Sequence, residues 1–265
     1  MADPNFPPNL DIAPLALDST HSEDQWLQHE AIQQYGIAGR IWHATELLMQ
    51  YFTPGASFDP PCSALLTPSP KRIIELGSGQ SVASLHLAKS LAPSDTLILT
   101  DLPNVMPLCE QSARKAALPV NISPQPLAWG SSSDHLDPHR PFTHVIMCDL
   151  IYFPELYPAL LFTLLDLTRP ESITDTPTFG PEIILAYKPR TLALEHSFFD
   201  AFGLYFSMNP IIGGDSLVRL YSCQRWKINE QWEMPAMDTV MNGAPGVERG
   251  RDFGYIDQLF ASMEW

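Results

Sequence analysis

The apolar positions of the chain change period at a few definite places. Over residues 26–52 they recur at three- and four-residue steps, with Ile41, Trp42, Thr45, Leu48, Met49 and Phe52 on one stripe, which predicts an amphipathic helix. Gly36 and Gly39 mark a turn ahead of it. Thr53-Pro54-Gly55 ends it, and residues 60–70 read as a proline-rich linker. From Lys71 onward, short apolar runs alternate with helical stretches. Strands are predicted over 72–76, 96–100, 143–148 and 182–187, with a weaker one over 121–127. Helices are predicted over 81–91, 104–117, 154–167 and 192–202. Residues 169–181 read as a Pro/Thr/Ser loop, 217–225 as a strand suited to an antiparallel edge, and 256–263 as a short helix. Repeated β-α units with short apolar strands imply an α/β fold, a mostly parallel sheet doubly wound by helices on both faces. The expected organisation is a flexible arm over 1–22, one domain over 23–225 with a helical lead-in, and an acidic extension over 226–265.

Composition narrows the ligand classes. The 265 residues are 45% hydrophobic, enough for one sizeable core. The formal net charge is −15 and the basic residues Lys71, Arg72, Arg114, Lys115, Lys188 and Arg190 are scattered, so nucleic acid is not expected as a ligand. An acidic body suits a basic acceptor; it equally serves solubility. Cys62, Cys109, Cys148 and Cys223 show neither CxxC pairing nor metal-ligand spacing, so a reducing compartment is expected, cytoplasmic or nuclear. No apolar run approaches the roughly 18–20 residues of a membrane helix. The first residues lack the basic start and apolar core of a signal peptide, so no membrane partner is expected. No HExxH or Gly-x-Ser-x-Gly motif occurs, which removes those metal and serine-hydrolase chemistries.

The residues that carry chemistry cluster at strand ends. Glu75-Leu76-Gly77-Ser78-Gly79-Gln80-Ser81 joins the first strand to its helix. Its glycines let a ligand lie against bare backbone, and the helix start offers free N–H groups. A dinucleotide turn wants Gly or Ala where Val82 stands; the acid two residues before the first glycine fits the E-x-G-x-G pattern of S-adenosylmethionine enzymes. An ordinary β-α turn is the plain alternative. Asp101, about twenty residues on, ends the second strand where an acid accepts hydrogen bonds from ribose hydroxyls, or else caps the following helix. Trp129, in Leu127-Ala128-Trp129-Gly130, offers a flat wall for an adenine ring or serves core packing. Asp149 leaves the most apolar strand, where α/β sheets bind ligands, and burying it calls for a cation. Tyr152 and Phe153 add faces that favour one. Tyr187-Lys188-Pro189-Arg190 either lines an acceptor channel or is a solvated strand end.

As an ordered set these elements resemble the DxxY group of seven-strand methyltransferases, which includes the methyltransferase-like protein-lysine methyltransferases. The resemblance rests on Gly39-Arg40-Ile41-Trp42-His43-Ala44, Ile74 to Gly79, Thr100-Asp101, Leu127 to Gly130, Asp149-Leu150-Ile151-Tyr152 and Leu185 to Lys188. It implies the Rossmann-like class I methyltransferase fold, a seven-stranded sheet with an antiparallel edge strand. It also implies S-adenosyl-L-methionine as cofactor and no metal. The cofactor contacts it implies are Trp42, Gly77, Ser78, Gly79, Asp101, Trp129 and Cys148, beside Glu75 of the glycine motif. Asp149 and Tyr152 are implied to border the methyl-transfer site, with a lysine on a partner protein as acceptor. Members of the group act on translation elongation factors, Hsp70-type chaperones and an AAA ATPase. Two positions depart from the family pattern near the cofactor: Ser81 replaces a glycine and His43 an acid. A small-molecule N-methyltransferase and a catalytically weak cofactor-binding protein remain the alternative functions.

Overall fold

A computed structural model describes residues 5–6, 12–15, 22–136, 141–169, 176–214 and 217–250. The chain begins with helix α1 (Ser22–Tyr35), a 3-10 turn (Gly36–Gly39), α2 (His43–Tyr51) and the short α3 (Ser63–Leu66). It continues through β1 (Arg72–Leu76), α4 (Val82–Ala88), β2 (Thr96–Asp101), α5 (Met106–Ala116), β3 (Asn121–Pro126), β4 (His144–Cys148) and α6 (Tyr157–Leu167). The last elements are β5 (Thr178–Tyr187), α7 (Leu192–Gly203), β6 (Asn209–Pro210), β7 (Arg219–Ile228) and β8 (Val247–Glu248).

The strands form one sheet in the order β3-β2-β1-β4-β5-β7-β6, with β8 paired to β7. The first five are parallel; β7 runs antiparallel to β5 in the register Tyr187↔Arg219, and the two-residue β6 runs antiparallel to β7. The alternation of a pleated strand explains why both faces are apolar. Ile74, Leu76, Val145, Met147, Ile183 and Leu185 point to one side, where Leu160, Leu161 and Leu164 of α6 and Phe198, Phe199 and Phe202 of α7 cover them. Their neighbours Ile73, Ile146, Ile184 and Ala186 point to the other, beneath Leu47, Leu48 and Tyr51 of α2 and Ala83 and Leu87 of α4.

Three details depart from the periodicity. Residues 178–181, read as loop, extend β5, because Thr178 and Phe179 pair with Trp226 and Arg225 beyond an irregularity in the ladder. The linker over 60–70 contains α3, whose Ala64 is buried against the second core layer. Segment 226–250 is tied to the domain: Val240 joins the α6/α7 core and its carbonyl accepts the Tyr205 hydroxyl at 2.7 Å. The buried Arg225 anchors that face. Its guanidinium donates to the carbonyls of Leu165 and Thr168 at the end of α6, where orphan carbonyls favour a cation, and lies 4.3 Å from the Trp232 ring centre. The helix expected over 256–263 and much of the arm lie outside the described residues.

Candidate active site

In a sheet of this order the chain leaves β1 toward β2 and returns through β4 on the other side, opening a crevice at the carboxyl ends of β1 and β4. A cavity of about 200 Å³ occupies that crevice.

Its floor is the turn after β1. Gly77 and Gly79 have φ of +57° and +48°, a region that disfavours a side chain. A Cβ at Gly79 would stand 2.5 Å from the Ala38 carbonyl oxygen, and one at Gly77 2.8 Å from Leu150. The turn is stitched to β2. Ser78 N–H donates to the Thr100 carbonyl at 2.9 Å, while Thr100 N–H donates to the Ser78 hydroxyl at 3.0 Å. Gly79 N–H donates to Asp101 Oδ2 at 2.8 Å, and Leu102 N–H to Asp101 Oδ1 at the same distance. Each Asp101 oxygen thus keeps capacity for another donor, which is what a vicinal diol requires.

Glu75 is buried at the end of β1, and its Oε2 has no hydrogen-bond partner among the described residues. Burial, reinforced by the charge of Asp101, pushes its carboxyl up to about 8 despite nearby Ser78 and Ser84 hydroxyls. Burial likewise raises Asp101 above the ordinary carboxylate range. Neither acid is paired with Lys or Arg among the described residues. Two such acids facing a cavity favour a cationic ligand.

The walls are aromatic. Trp42, just before α2, is held by its indole N–H on the Ile37 carbonyl at 3.2 Å. Trp129 follows β3 and approaches the Gly77 turn; Gly130 N–H donates to the Thr163 hydroxyl at 2.8 Å. Tyr152 lies in the cavity wall, its ring 4.7 Å from that of Phe153. Cys148 closes the inner end of β4, 3.5 Å from the Thr45 hydroxyl, and burial raises its thiol well above the usual range.

Asp149 is the most tightly held member. Its φ is +60°, and its N–H donates to the Ala186 carbonyl at 2.8 Å. Arg190 clamps its carboxylate bidentately, Nη2 to Oδ2 at 2.5 Å and Nη1 to Oδ1 at 3.0 Å, and Lys188 N–H adds 3.1 Å to Oδ1. The eight residues expected around the cofactor, with Asp149 and Tyr152, therefore line one cavity, whereas Phe153 and residues 187–190 are not among its lining. Of the Tyr187-Lys188-Pro189-Arg190 segment, Tyr187 is a core residue against Phe199, whereas Lys188 and Arg190 reach Asp149. Asn5 and Gln80 also line the cavity and were not foreseen. Asn5 accepts the Ile37 N–H at 2.9 Å, a contact with no local sequence signal. Gln80 donates to the Gly39 carbonyl, tying the glycine turn to the segment before Trp42.

S-adenosyl-L-methionine offers an adenine ring, a ribose diol, a sulfonium and an amino-acid group. The bare glycine cradle, the open acceptors of Asp101, the unpaired acids and the two indoles fit each of these. Fold and cavity together define a class I methyltransferase. The chain belongs to the lysine methyltransferase family, whose model matches residues 21–203. It is 30% identical to protein-lysine N-methyltransferase EFM6 of Saccharomyces cerevisiae over 62% of this chain and 68% of that one. It is 26% identical to EEF1A lysine methyltransferase 3 of Xenopus tropicalis over 72% and 77% of the two chains. The fold also matches an O-methyltransferase family protein from Burkholderia thailandensis, with a TM-score of 0.52 at 9% identity, over 77% of this chain and 63% of that one. The protein is an S-adenosylmethionine-dependent protein-lysine N-methyltransferase. No helix among the described residues is long and apolar enough to cross a membrane.

Proposed function

We propose that the acceptor is a lysine of translation elongation factor 1A, and that the ten residues around the cavity divide into a cofactor half and an acceptor half. The substrate reading is supported by the name of the Xenopus relative, EEF1A lysine methyltransferase 3, and by the net charge of −15, which complements a basic partner. The division of the site is supported by one observation above all: Asp149 follows β4 on one side of β1 and its glycine turn, whereas Asp101 ends β2 on the other.

In this reading the glycine turn holds the amino-acid end of the cofactor, with Glu75 behind it. Asp101 holds the ribose, Trp42 and Trp129 wall the rings, and Cys148 packs beside them. When bound, S-adenosyl-L-methionine supplies an electrophilic methyl group on a sulfonium. The protein contributes position and a water-poor pocket. Asp149 and Tyr152 border the amine, Tyr152 narrowing the entrance to a side chain that can pass an aromatic edge.

Incubation with tritiated cofactor and purified elongation factor 1A, followed by mass mapping, tests the acceptor. Label on one lysine is expected. Label on other proteins of a lysate, with none on the elongation factor, would overturn the acceptor while leaving the activity intact.

A further inference from the structure

The Asp149–Arg190 pair has a consequence for the state in which the lysine arrives. We infer that Arg190 is a positioning residue of the methyl-transfer site: it neutralises Asp149 and locks it beside Trp42, so that the acceptor lysine enters as the neutral amine. The inference rests on the reading that Asp149 borders that site.

Lone-pair arithmetic makes the first argument. A carboxylate offers about four acceptor positions. Arg190 Nη1 and Lys188 N–H take both at Oδ1, and Arg190 Nη2 takes one at Oδ2, leaving a single position. Such a carboxylate can accept one N–H from an amine and so orient its lone pair. With one acceptor position left, that position can orient the amine or hold a proton, but not both.

Arg190 is itself held in place. Its backbone N–H donates to Glu195 Oε1 at 2.8 Å, and Thr191 N–H donates to the same oxygen at 3.0 Å, which fixes the chain as it enters α7. Nη1 also donates to the Lys188 carbonyl at 3.2 Å. The guanidinium centre lies 5.5 Å from the Trp42 ring centre, with Arg40 at 4.7 Å from the same ring. One side chain thus joins Asp149 to the aromatic wall assigned to the cofactor.

Local charge makes the second argument. Asp149 faces Arg190 and the Lys188 backbone N–H from the exit of β5, His43 from the start of α2, Cys148 from its own strand and Tyr152 from the loop beyond, while Lys188 and Arg40, the latter before α2, act on His43. Three permanent cations, Lys188, Arg40 and Arg190, thus oppose a proton on His43, and one carboxylate, Asp149, favours it, in a protein of net charge −15. His43 registers this field: burial first, then Lys188 and Arg40, hold its imidazole below the ordinary value. A lysine ammonium meets the same opposition. Its proton therefore passes to bulk water before the amine enters, and the product amine, once methylated and reprotonated, is disfavoured in the mouth.

The test uses the enzyme loaded with S-adenosylhomocysteine and n-butylammonium chloride as the lysine side-chain probe, read by saturation-transfer NMR at neutral pH. Wild type is expected to show little contact. Arg190→Met, with Asp149 unneutralised, should bind the probe at least about tenfold more tightly. The double variant with Asp149→Asn should lose that gain, and Arg190→Lys should return most of the way to wild type. Calorimetry of S-adenosylhomocysteine shows that the variants keep the cofactor site; if Arg190→Met does not fold, Arg190→Gln replaces it. Equal binding of the probe to wild type and variant, or none to either, overturns the inference. Wild-type turnover gives an independent reading: kcat/KM for the protein substrate should climb about tenfold per pH unit from neutrality toward the lysine pKa near 10.4. A plateau from mildly acidic pH would overturn it, as expected of a carboxylate base. Full turnover by Asp149→Ala would instead sink the site assignment itself, a result that these binding data alone cannot produce.

Discussion

The two halves of the cavity solve opposite problems with the same residue type. Asp101 ends the parallel strand β2, and Asp149 directly follows the parallel strand β4. Asp101 spends its first contacts on backbone N–H groups of Gly79 and Leu102 and meets no cation among the described residues. Asp149 is neutralised by a guanidinium. The first is a buried acid awaiting a cationic ligand; the second is an acid whose cation is already present. Burial alone therefore does not define the role of a carboxylate at a strand end. What decides it is whether the fold supplies the counter-charge.

Asp101→Ala should break the first half most severely. It removes the acceptor for the glycine turn together with the one proposed for the ribose, and two charge-assisted bonds correspond to at least about a hundredfold in affinity. Calorimetry of S-adenosyl-L-methionine on the folded variant reads this directly. Affinity within a few-fold of wild type would remove Asp101 from the cofactor site. Asp149→Ala sharpens the contrast. Turnover should fall by about a hundredfold through loss of amine positioning, while cofactor affinity stays within about threefold. A parallel loss of affinity would mean that the halves do not separate, with Trp42 the obvious conduit through Arg190.

Much of the first half was legible in the chain, because it is local. A glycine turn after an apolar strand and an acid at the end of the next strand are short-range patterns, and the parallel pairing of β1 with β2 brings them together. The second half was legible only in part. Asp149 and Arg190 lie far apart in sequence, and their pairing depends on β4 and β5 being neighbours with Cys148 opposite Ala186. Nothing local distinguished a clamp from a solvated strand end at residues 187–190. The Asn5 contact was illegible for the same reason, and the β5 extension was hidden because Gly180 and Pro181 read as loop residues.

Glu75 offers a pH-dependent way to probe the cofactor half without ligand. Its folded value of about 8 lies above the unfolded value of about 4.3, so the folded state binds the extra proton between them. The stability contributed by the protonated form is complete below the unfolded value and lost as pH rises through about 8. The shift bounds this loss at roughly 5 kcal/mol, and water entering the cavity should reduce it to about 2. Chemical denaturation across this range should show wild type weakening relative to Glu75→Gln, which has no proton to lose. Parallel curves would mean that Glu75 is ionised in the folded protein.

The smallest expected effect concerns Ser81, where the family pattern has glycine. Ser81 precedes α4 with φ +59°, in the left-handed region, and its hydroxyl has no hydrogen-bond partner among the described residues. The side chain therefore adds strain without a compensating bond. Ser81→Gly relieves the strain but gives the unfolded chain more freedom, and the balance should favour the variant by about 1 kcal/mol. Thermal denaturation measures that gain, and calorimetry shows what it does to the cofactor. Unchanged affinity would make the serine a local cost confined to the turn. Tighter binding would show that strain at Ser81 reaches the N–H groups of the glycine turn, and that the cofactor half, for all its open acceptors, is less well preformed than the clamped carboxylate facing it.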